Sequence, residues 1–204
     1  MKFFSYVVAR DYGFAPNPFH GLCTLATCKP NIRLRANVGD WVFGMRSQVN
    51  GCRHHLLYAM KVTEKTTFDE YWASDKYKRK KPIMNGSLKL MYGDNIYHRN
   101  SDNSWFQADS HHSNEGGEIN QLNLNTDTKT TDAVLVSTEF YYFGEKSIQI
   151  PKALVDGVYW DGRNYKHAFP LESEKLLSYL ADNYDQGYLG DPVQFSHFKR
   201  YNGK

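Results

Sequence analysis

The sequence predicts a single α+β domain, built on a barrel-like mixed sheet with a few flanking helices. Many short runs are rich in aromatic and β-branched residues, whereas only two or three segments carry signals of a helix. This pattern does not suit a parallel βαβ sheet, in which strands and helices alternate. With 204 residues, 41% of them hydrophobic, the chain can bury its own core. We therefore treat residues 1–204 as one domain.

The predicted strands are short apolar runs bounded by turns. The first is Phe3 to Ala9, and an irregular loop with two prolines follows it from Arg10 to Gly21. A turn from Gln48 to Gly51 precedes the fourth strand. The later strands are predicted at 22–28, 41–44, 55–63 and 133–144.

Three segments predict helices. Residues 29–35 have a proline near their start, which suits the first turn of a helix. Thr67 and Glu70 have the spacing of a capping box, so a helix should begin there and end before Pro82. From Leu171 to Tyr184, leucines recur on one helical face.

Residues 85–131 form a long polar excursion from this framework. The segment is rich in glycine and asparagine and has few apolar anchors. Long connections of this kind are uncommon in compact domains, and many of them are functional. We expect the excursion to lie over one mouth of the sheet, beside the proline-rich loop that contains Asn17.

Charge, cysteine content and hydropathy limit the class of protein. The net charge of +3 is too small to indicate a nucleic-acid binder by itself. An odd number of cysteines (Cys23, Cys28 and Cys52) favours a reducing compartment over a disulfide framework. The first apolar run is too short for a signal peptide, and no run is long enough to cross a membrane. We expect a cytoplasmic protein without a membrane partner.

The highest concentration of side chains suited to catalysis or binding lies in the excursion, at Gln107-Ala-Asp-Ser-His-His-Ser113. Asp109, His111 and His112 are the candidate catalytic residues, with Asp109 orienting an imidazole that acts as general base. The alternative is a hydrogen-bonded structural loop. Adjacent histidines on an extended segment point to opposite sides, so they do not suit one metal ion. We expect no metal and no other cofactor.

A second group of residues has side chains suited to holding a nucleotide. Asn17 stands between two prolines, and its amide could read a base edge or close a local turn. Lys29 and Arg33 could bind phosphate near a helix start, or form a solvated face. The remaining candidates, which could hold the base or be structural, are Asp94, Asn95, Tyr97 and Gln107.

Two further features bear on function. Lys78, Arg79, Lys80 and Lys81 are candidates for contact with a phosphate backbone, and the alternative is a solubilising helix end. Cys28 would need a base to act as a nucleophile, and its neighbours in sequence supply none, so a buried thiol is favoured. The chain has no phosphate loop, no dinucleotide glycine pattern and no zinc-deaminase motif. An enzyme driven by ATP or nicotinamide is therefore not expected.

Two resemblances follow from these motifs. Val38-Gly-Asp-Trp-Val-Phe-Gly44 followed by Leu57-Tyr-Ala-Met-Lys-Val62 resembles the Gly-Asp, strand, strand arrangement of barrel domains of the PUA class, including the EVE and ASCH families. This resemblance implies a PUA- or EVE-like barrel.

A closer resemblance covers most of the chain. Its motifs are Ala15-Pro-Asn-Pro18, Thr24-Leu-Ala-Thr-Cys-Lys-Pro30, Gly39-Asp-Trp41, Gly93-Asp-Asn-Ile-Tyr97, Gln107–Ser113, Val134-Leu-Val-Ser137 and Phe140-Tyr-Tyr-Phe-Gly144. Together they resemble the nucleotide modification associated domain 2 family of bacteria and phages. The resemblance implies a role in DNA base hypermodification, without an established catalytic residue.

Three functional hypotheses follow. In the first, the chain recognises a nucleotide or a DNA base, in modified form, and catalyses a step by histidine and aspartate acid–base chemistry. In the second, it is a non-catalytic reader of modified bases in nucleic acid. In the third, it is a partner-binding subunit of a modification or defence system. The sequence leaves the oligomeric state open.

Overall fold

The computed structural model describes residues 1–48 and 52–203, and it has the α+β composition that the sequence predicts. The strands are β1 Phe3–Val8, β2 Cys23–Leu25, β3 Trp41–Arg46, β4 His55–Lys61, β5 Glu64–Thr67, β6 Tyr97–Arg99, β7 Trp105–Gln107, β8 Ala133–Ser137, β9 Phe140–Tyr142, β10 Ile148–Gln149, β11 Lys166–His167 and β12 Gly187–Tyr188. The helices are α1 Pro30–Arg35, α2 Phe68–Ala73, α3 Leu88–Met91, α4 Gln121–Thr128, α5 Val155–Val158 and α6 Pro170–Asn183. Short 3₁₀ turns cover Asp75–Lys80, Glu115–Gly117, Gly144–Lys146 and Lys152–Leu154.

A seven-stranded mixed sheet is the centre of the fold. Its strand order is β11-β1-β3-β4-β9-β12, and β10 pairs with β4. The β1–β3 and β9–β12 pairs are parallel, and the other pairs are antiparallel. A three-stranded sheet, β2-β8-β5, and the hairpin β6–β7 complete the strands.

Successive side chains of a strand point to opposite faces of its sheet, and this alternation divides the hydrophobic core into layers. On one face of the large sheet, Phe3 and Phe43 pack with Leu176 and Leu180 of α6. On the other face, a second cluster joins the large sheet to the three-stranded sheet through residues such as Leu135. The opposite side of β8 then packs on aromatic side chains of the polar excursion. Successive side chains of β8 therefore serve two different cores.

The sheet does not close into the predicted PUA- or EVE-like barrel within residues 1–48 and 52–203. The strands β11 and β12 stand at its two edges, and each is two residues long. Such short strands pair with one neighbour and leave the sheet open. The fold class is confirmed as a mixed α+β arrangement, and the structure does not show a barrel.

Several local predictions are confirmed, and others change in extent. The capping box at Thr67 and Glu70 is present, but α2 ends at Ala73 and a 3₁₀ turn continues towards Pro82. The single strand predicted at 133–144 is two strands, β8 and β9. The predicted turn at 48–51 lies, apart from Gln48, outside the described residues.

The polar excursion is more ordered than its composition predicts. It contains α3, the β6–β7 hairpin and α4, and it buries Tyr92, Ile96 and Tyr97 against the three-stranded sheet. Few apolar residues anchor the segment, but they are large and well spaced. None of the described helices is both long and apolar enough for a membrane crossing.

Candidate functional site

A cavity of about 540 Å³ opens between the end of β1, the loop that follows it, the start of α1 and the polar excursion. Aromatic rings form much of its wall. They are Tyr6, Tyr12, Phe14, Tyr165 and Tyr201. The polar side chains in its lining include Arg10, Cys28, Lys29, His111, His112, Asn123, Thr126 and Asp127. The cavity therefore combines flat apolar surfaces with one concentrated group of titratable residues.

A buried pair, His112 and Asp127, is the centre of this group. His112 Nδ1 lies 2.8 Å from Asp127 Oδ2, and the two side chains are 3% and 1% exposed. A carboxylate can only accept here, so Nδ1 carries the proton and Nε2 points away from Asp127. The carboxylate that orients this imidazole is thus Asp127 of α4 and not Asp109.

The electrostatics of the pair favour its charged form. Burial opposes protonation of His112, but the Asp127 carboxylate and its hydrogen bond outweigh burial and raise the pKa of His112 to about 10. Burial likewise opposes ionisation of Asp127, and the neighbouring His112 and Arg33 charges lower the pKa of Asp127 below its usual value. At neutral pH the site therefore holds a carboxylate and an imidazolium.

Cys28 lies on the other side of His112. Its Sγ is 3.9 Å from His112 Nε2, and its backbone N–H donates to Asp127 Oδ1 over 2.6 Å. Cys28 and Lys29 have φ angles of 58° and 38°, so two successive residues with side chains adopt the left-handed conformation. That conformation costs about 1–2 kcal/mol for each such residue. The surrounding hydrogen bonds must hold the turn in this strained form.

Arg33 supplies much of that support. Its guanidinium is fully buried and donates to the carbonyl oxygens of Cys28, Ala133 and Asp127. The Cys28 and Ala133 bonds measure 2.9 and 2.8 Å. Arg33 thus holds the Cys28 turn and the end of α4 in place from the protein interior. It is buried and does not line the cavity, so it is not in the position predicted for a phosphate contact.

Tyr97 and Gln107 form a second support behind the His112–Asp127 pair. The Tyr97 hydroxyl donates to Asp127 Oδ2 over 3.0 Å, and Gln107 Nε2 donates to Tyr97 and to the His112 carbonyl, each over 3.1 Å. Asn123 Nδ2 donates to the same carbonyl over 2.9 Å. Tyr97 and Gln107, predicted to hold a base, instead position the imidazole and its carboxylate.

His111 lies in the cavity wall beside His112, in a neutral state. Its Nδ1 donates to the Lys199 carbonyl, and its ring packs against Tyr12 and Phe14, with centroid distances of 4.9 Å to each. Burial and the adjacent His112 lower the pKa of His111 to about 3. Because residues 109–113 form a turn and not an extended strand, both imidazoles reach the same cavity.

Residues 197–203, here called the C-terminal segment, hold this turn in place. Arg200 Nη1 lies 2.7 Å from Asp109 Oδ1 and donates to the Ser110 carbonyl over 2.7 Å. The Tyr201 N–H donates to the His111 carbonyl, also over 2.7 Å. Asp109 therefore anchors the C-terminal segment and does not orient an imidazole.

The predicted residues Asn17, Asp94 and Asn95 belong to a separate buried network. Asn17 Nδ2 donates to the Tyr92 carbonyl over 2.9 Å, and Asn95 Nδ2 donates to the Tyr71 carbonyl over 2.8 Å. Asp94 accepts hydrogen bonds from Thr24 and Tyr71 over 2.6 and 2.8 Å. All three residues are at most 1% exposed. They hold the excursion to the three-stranded sheet and do not line the cavity.

The four cations predicted to contact phosphate differ in their environments. Lys78 and Arg79 are exposed, and the Lys81 ammonium stacks over Trp72 at 3.8 Å from the ring centroid. Lys80 is buried, and its Nζ donates to Asn17 O, Asn17 Oδ1 and Leu22 O over 2.9, 2.7 and 2.9 Å. Lys29, by contrast, is in the cavity wall with its Nζ 4.8 Å from the Tyr6 ring centroid.

Replacing Lys80 with methionine is expected to lower the free energy of unfolding by about 3 kcal/mol, because three buried acceptors lose their donor and Asp94 loses a buried cation. Urea unfolding followed by circular dichroism measures the change. Lys78→Met is the matched control, because the exposed Lys78 should contribute less than about 0.5 kcal/mol. Equal unfolding midpoints for the two variants would contradict the structural role of Lys80.

Sequence reasoning did not select two residues of this site, Asp127 and Cys28. Asp127 lies in the polar excursion without a motif around it, and its partner His112 is 15 residues away. The imidazole beside the Cys28 thiol, His112, comes 84 residues later in the chain. The available signal for Asp127 was a carboxylate next to the last residue of a polar helix. Within residues 1–48 and 52–203, no three His, Cys, Asp or Glu side chains are grouped as a metal ion would require.

The whole chain was compared with curated proteins, with solved structures and with models of protein families. No curated protein and no solved structure matches the chain. The model of one family, described as nucleotide modification associated domain 2, matches residues 1–199, a range that includes Cys28, His112 and Asp127. The chain therefore belongs to the nucleotide modification associated domain 2 family.

Proposed function

We propose that the chain binds a nucleotide or nucleobase in the cavity beside His112 and takes part in modifying that base. The observation that carries this proposal is an aromatic-walled cavity into which a buried, charged histidine–aspartate pair opens. Membership of a family named for its association with nucleotide modification supports the choice of ligand. In this proposal His112 moves a proton, and His111 accepts a hydrogen bond through its unprotonated Nε2.

The size and the wall of the cavity suit a flat heterocycle. Its volume of about 540 Å³ is in the usual range of small-molecule sites, about 300–1,000 Å³. Tyrosine and phenylalanine rings bind bases by stacking, and Tyr165 and Tyr201 are half-buried members of this wall. Arg10 and Lys29 place positive charge beside the rings, as binding of a nucleotide phosphate requires.

The exposed cations Lys78 and Arg79, with Lys81 beside Trp72, are proposed contacts for the DNA backbone when the base is part of a polymer. Such contacts give affinity without sequence choice, and they weaken as the salt concentration rises, because binding releases the counterions condensed on the DNA. A free nucleotide, in contrast, would use Lys29 and Arg10. The salt dependence of oligonucleotide binding therefore separates a polymer ligand from a free one.

Isothermal titration with modified and unmodified nucleotides and short oligonucleotides tests the proposal. Replacing Tyr165 or Tyr201 with alanine should weaken binding about 5- to 150-fold, because each lost stacking contact costs about 1–3 kcal/mol. Tyr179→Ala is the matched control, since Tyr179 packs against the core on the far side of the large sheet. The melting temperature of each variant shows that the fold is retained.

Three outcomes are informative. Binding accompanied by a mass change in the nucleotide supports catalysis. Binding without a mass change favours the non-catalytic reader. Absence of binding, or equal affinities for the wild-type protein and both cavity variants, would overturn the proposal and leave the partner-binding subunit as the better hypothesis.

A further inference from the structure

We propose that Cys28 is a nucleophile that takes an acyl group from an amide or ester on the bound nucleotide, with His112 and Asp127 completing the catalytic set. This inference deepens the proposed function and rests on it for the identity of the substrate. The reactivity of the thiol itself can be measured without a nucleotide. The second reactant is water, so the overall reaction is hydrolysis of the acyl substituent.

The three side chains stand in the order that thiol catalysis needs. Cys28 Sγ is 3.9 Å from His112 Nε2, and His112 Nδ1 is 2.8 Å from Asp127 Oδ2. A nucleophile, a base and a carboxylate that orients the base are recognised by this geometry and not by their order in the chain. The contact from sulfur to nitrogen is long, as catalytic contacts often are before a substrate binds.

The backbone of the Cys28 turn is strained and is held in place by hydrogen bonds on both sides of the thiol-bearing residue. Cys28 and Lys29 are both left-handed, which side chains rarely adopt, and the Cys28 backbone is bonded at its N–H to Asp127 and at its carbonyl to Arg33. A thiol that merely fills space does not need two strained residues and a buried guanidinium. The same bonds present Cys28 to the cavity, which Cys28 and His112 both line.

The other two cysteines provide a contrast within the same chain. Cys23 is fully buried, contacts Met60, and has its thiol pKa raised by burial. Cys52 is half-buried like Cys28, so it serves as an internal reference for accessible thiols.

The proposed reaction balances without an oxidant or reductant. The Cys28 proton is held by His112 Nε2 while Sγ attacks the carbonyl carbon and a C–S bond forms. The bond from that carbon to the leaving nitrogen or oxygen breaks, and the proton on Nε2 passes to the leaving atom. The acyl group remains on Sγ as a thioester. Water, deprotonated by His112, attacks the thioester; the C–S bond breaks, a carboxylic acid leaves, and the proton returns to the Cys28–His112 pair.

An activated ester, p-nitrophenyl acetate, tests the inference by intact-protein mass spectrometry and peptide mapping. We expect the wild-type protein and the Cys52→Ala control to gain one acetyl group at Cys28, and Cys28→Ala to gain none at that turn. Asp127→Asn should slow acylation at least about 100-fold, the usual contribution of an oriented base. Equal acylation rates at Cys28 and Cys52 of the wild-type protein would overturn the proposal, as would an unchanged rate in folded Asp127→Asn.

A measurement on the wild-type protein keeps the test independent of how well the variant folds. Alkylation by iodoacetamide is followed at Cys28 and Cys52 of the same protein under one set of conditions. We expect Cys28, whose Sγ lies 3.9 Å from His112 Nε2, to be alkylated several times faster than Cys52, and equal rates would contradict the proposal. Acylation of Cys28 without nucleotide binding would count against the proposed function alone, whereas nucleotide binding without acylation would count against this inference alone.

Discussion

Replacing Asp127 with alanine is expected to lower the free energy of unfolding by about 3–5 kcal/mol. The carboxylate is 1% exposed, balances the charge of His112, and accepts hydrogen bonds from Cys28 and Tyr97. Its removal leaves a buried imidazole and two donors without their acceptor, and it also removes an opposite charge near Arg33. Few single substitutions disturb as many buried polar groups.

Urea unfolding, with the midpoint and the slope both fitted, measures this effect. Asp109→Ala is the control, because Asp109 forms a partly exposed ion pair with Arg200 and should contribute less than about 1 kcal/mol. If Asp127→Ala and Asp109→Ala had the same midpoint, the buried pair described here would not exist in solution. Asp127→Asn should destabilise less than Asp127→Ala, since the amide keeps one oxygen as an acceptor.

The second large effect concerns stability at alkaline pH. The pKa of His112 is raised from 6.5 to about 10 in the folded chain, because Asp127 outweighs the cost of burial. A raised pKa means that the contribution of His112 is fully present below pH 6.5 and is lost as pH rises through about 10. The loss across this window is on the order of 4–5 kcal/mol.

This loss is measured as the difference in unfolding free energy between the wild-type protein and His112→Gln at several pH values. We expect the difference to shrink from pH 6.5 towards pH 10. Burial lowers the pKa of Lys80 to about 8, so Lys80 titrates in the same window. Because Lys80 is present in both proteins, its contribution cancels in the difference between their unfolding free energies. A difference that stays constant with pH would show that His112 is not held as an imidazolium.

The sequence predicted the framework of the fold better than the site. Local signals were sufficient for β1, β3, β4 and α6, because alternation and helical spacing are properties of neighbouring residues. The capping box at Thr67 was predictable for the same reason. Whether the sheet closes into a barrel was not predictable from local signals, because closure depends on the lengths of the edge strands β11 and β12.

The site residues were harder to assign because polar residues look alike in sequence. His112 and Asn17 both stand in polar, turn-rich segments, yet one lines the cavity and the other is sealed in the core. Burial decides between these roles, and burial depends on segments distant in the chain. Asp127 and Cys28 acquire their chemistry from partners that no local pattern connects.

The hydrogen bonds of Arg33 have a consequence for biosynthesis. One guanidinium ties the carbonyl of Cys28 to those of Asp127 and Ala133, about a hundred positions further along the chain. These contacts require a large loop of the chain to close, at a cost in conformational entropy, and they cannot form before Ala133 has been synthesised. On the nascent polypeptide the Cys28 thiol therefore lacks the neighbours that surround it in the folded protein.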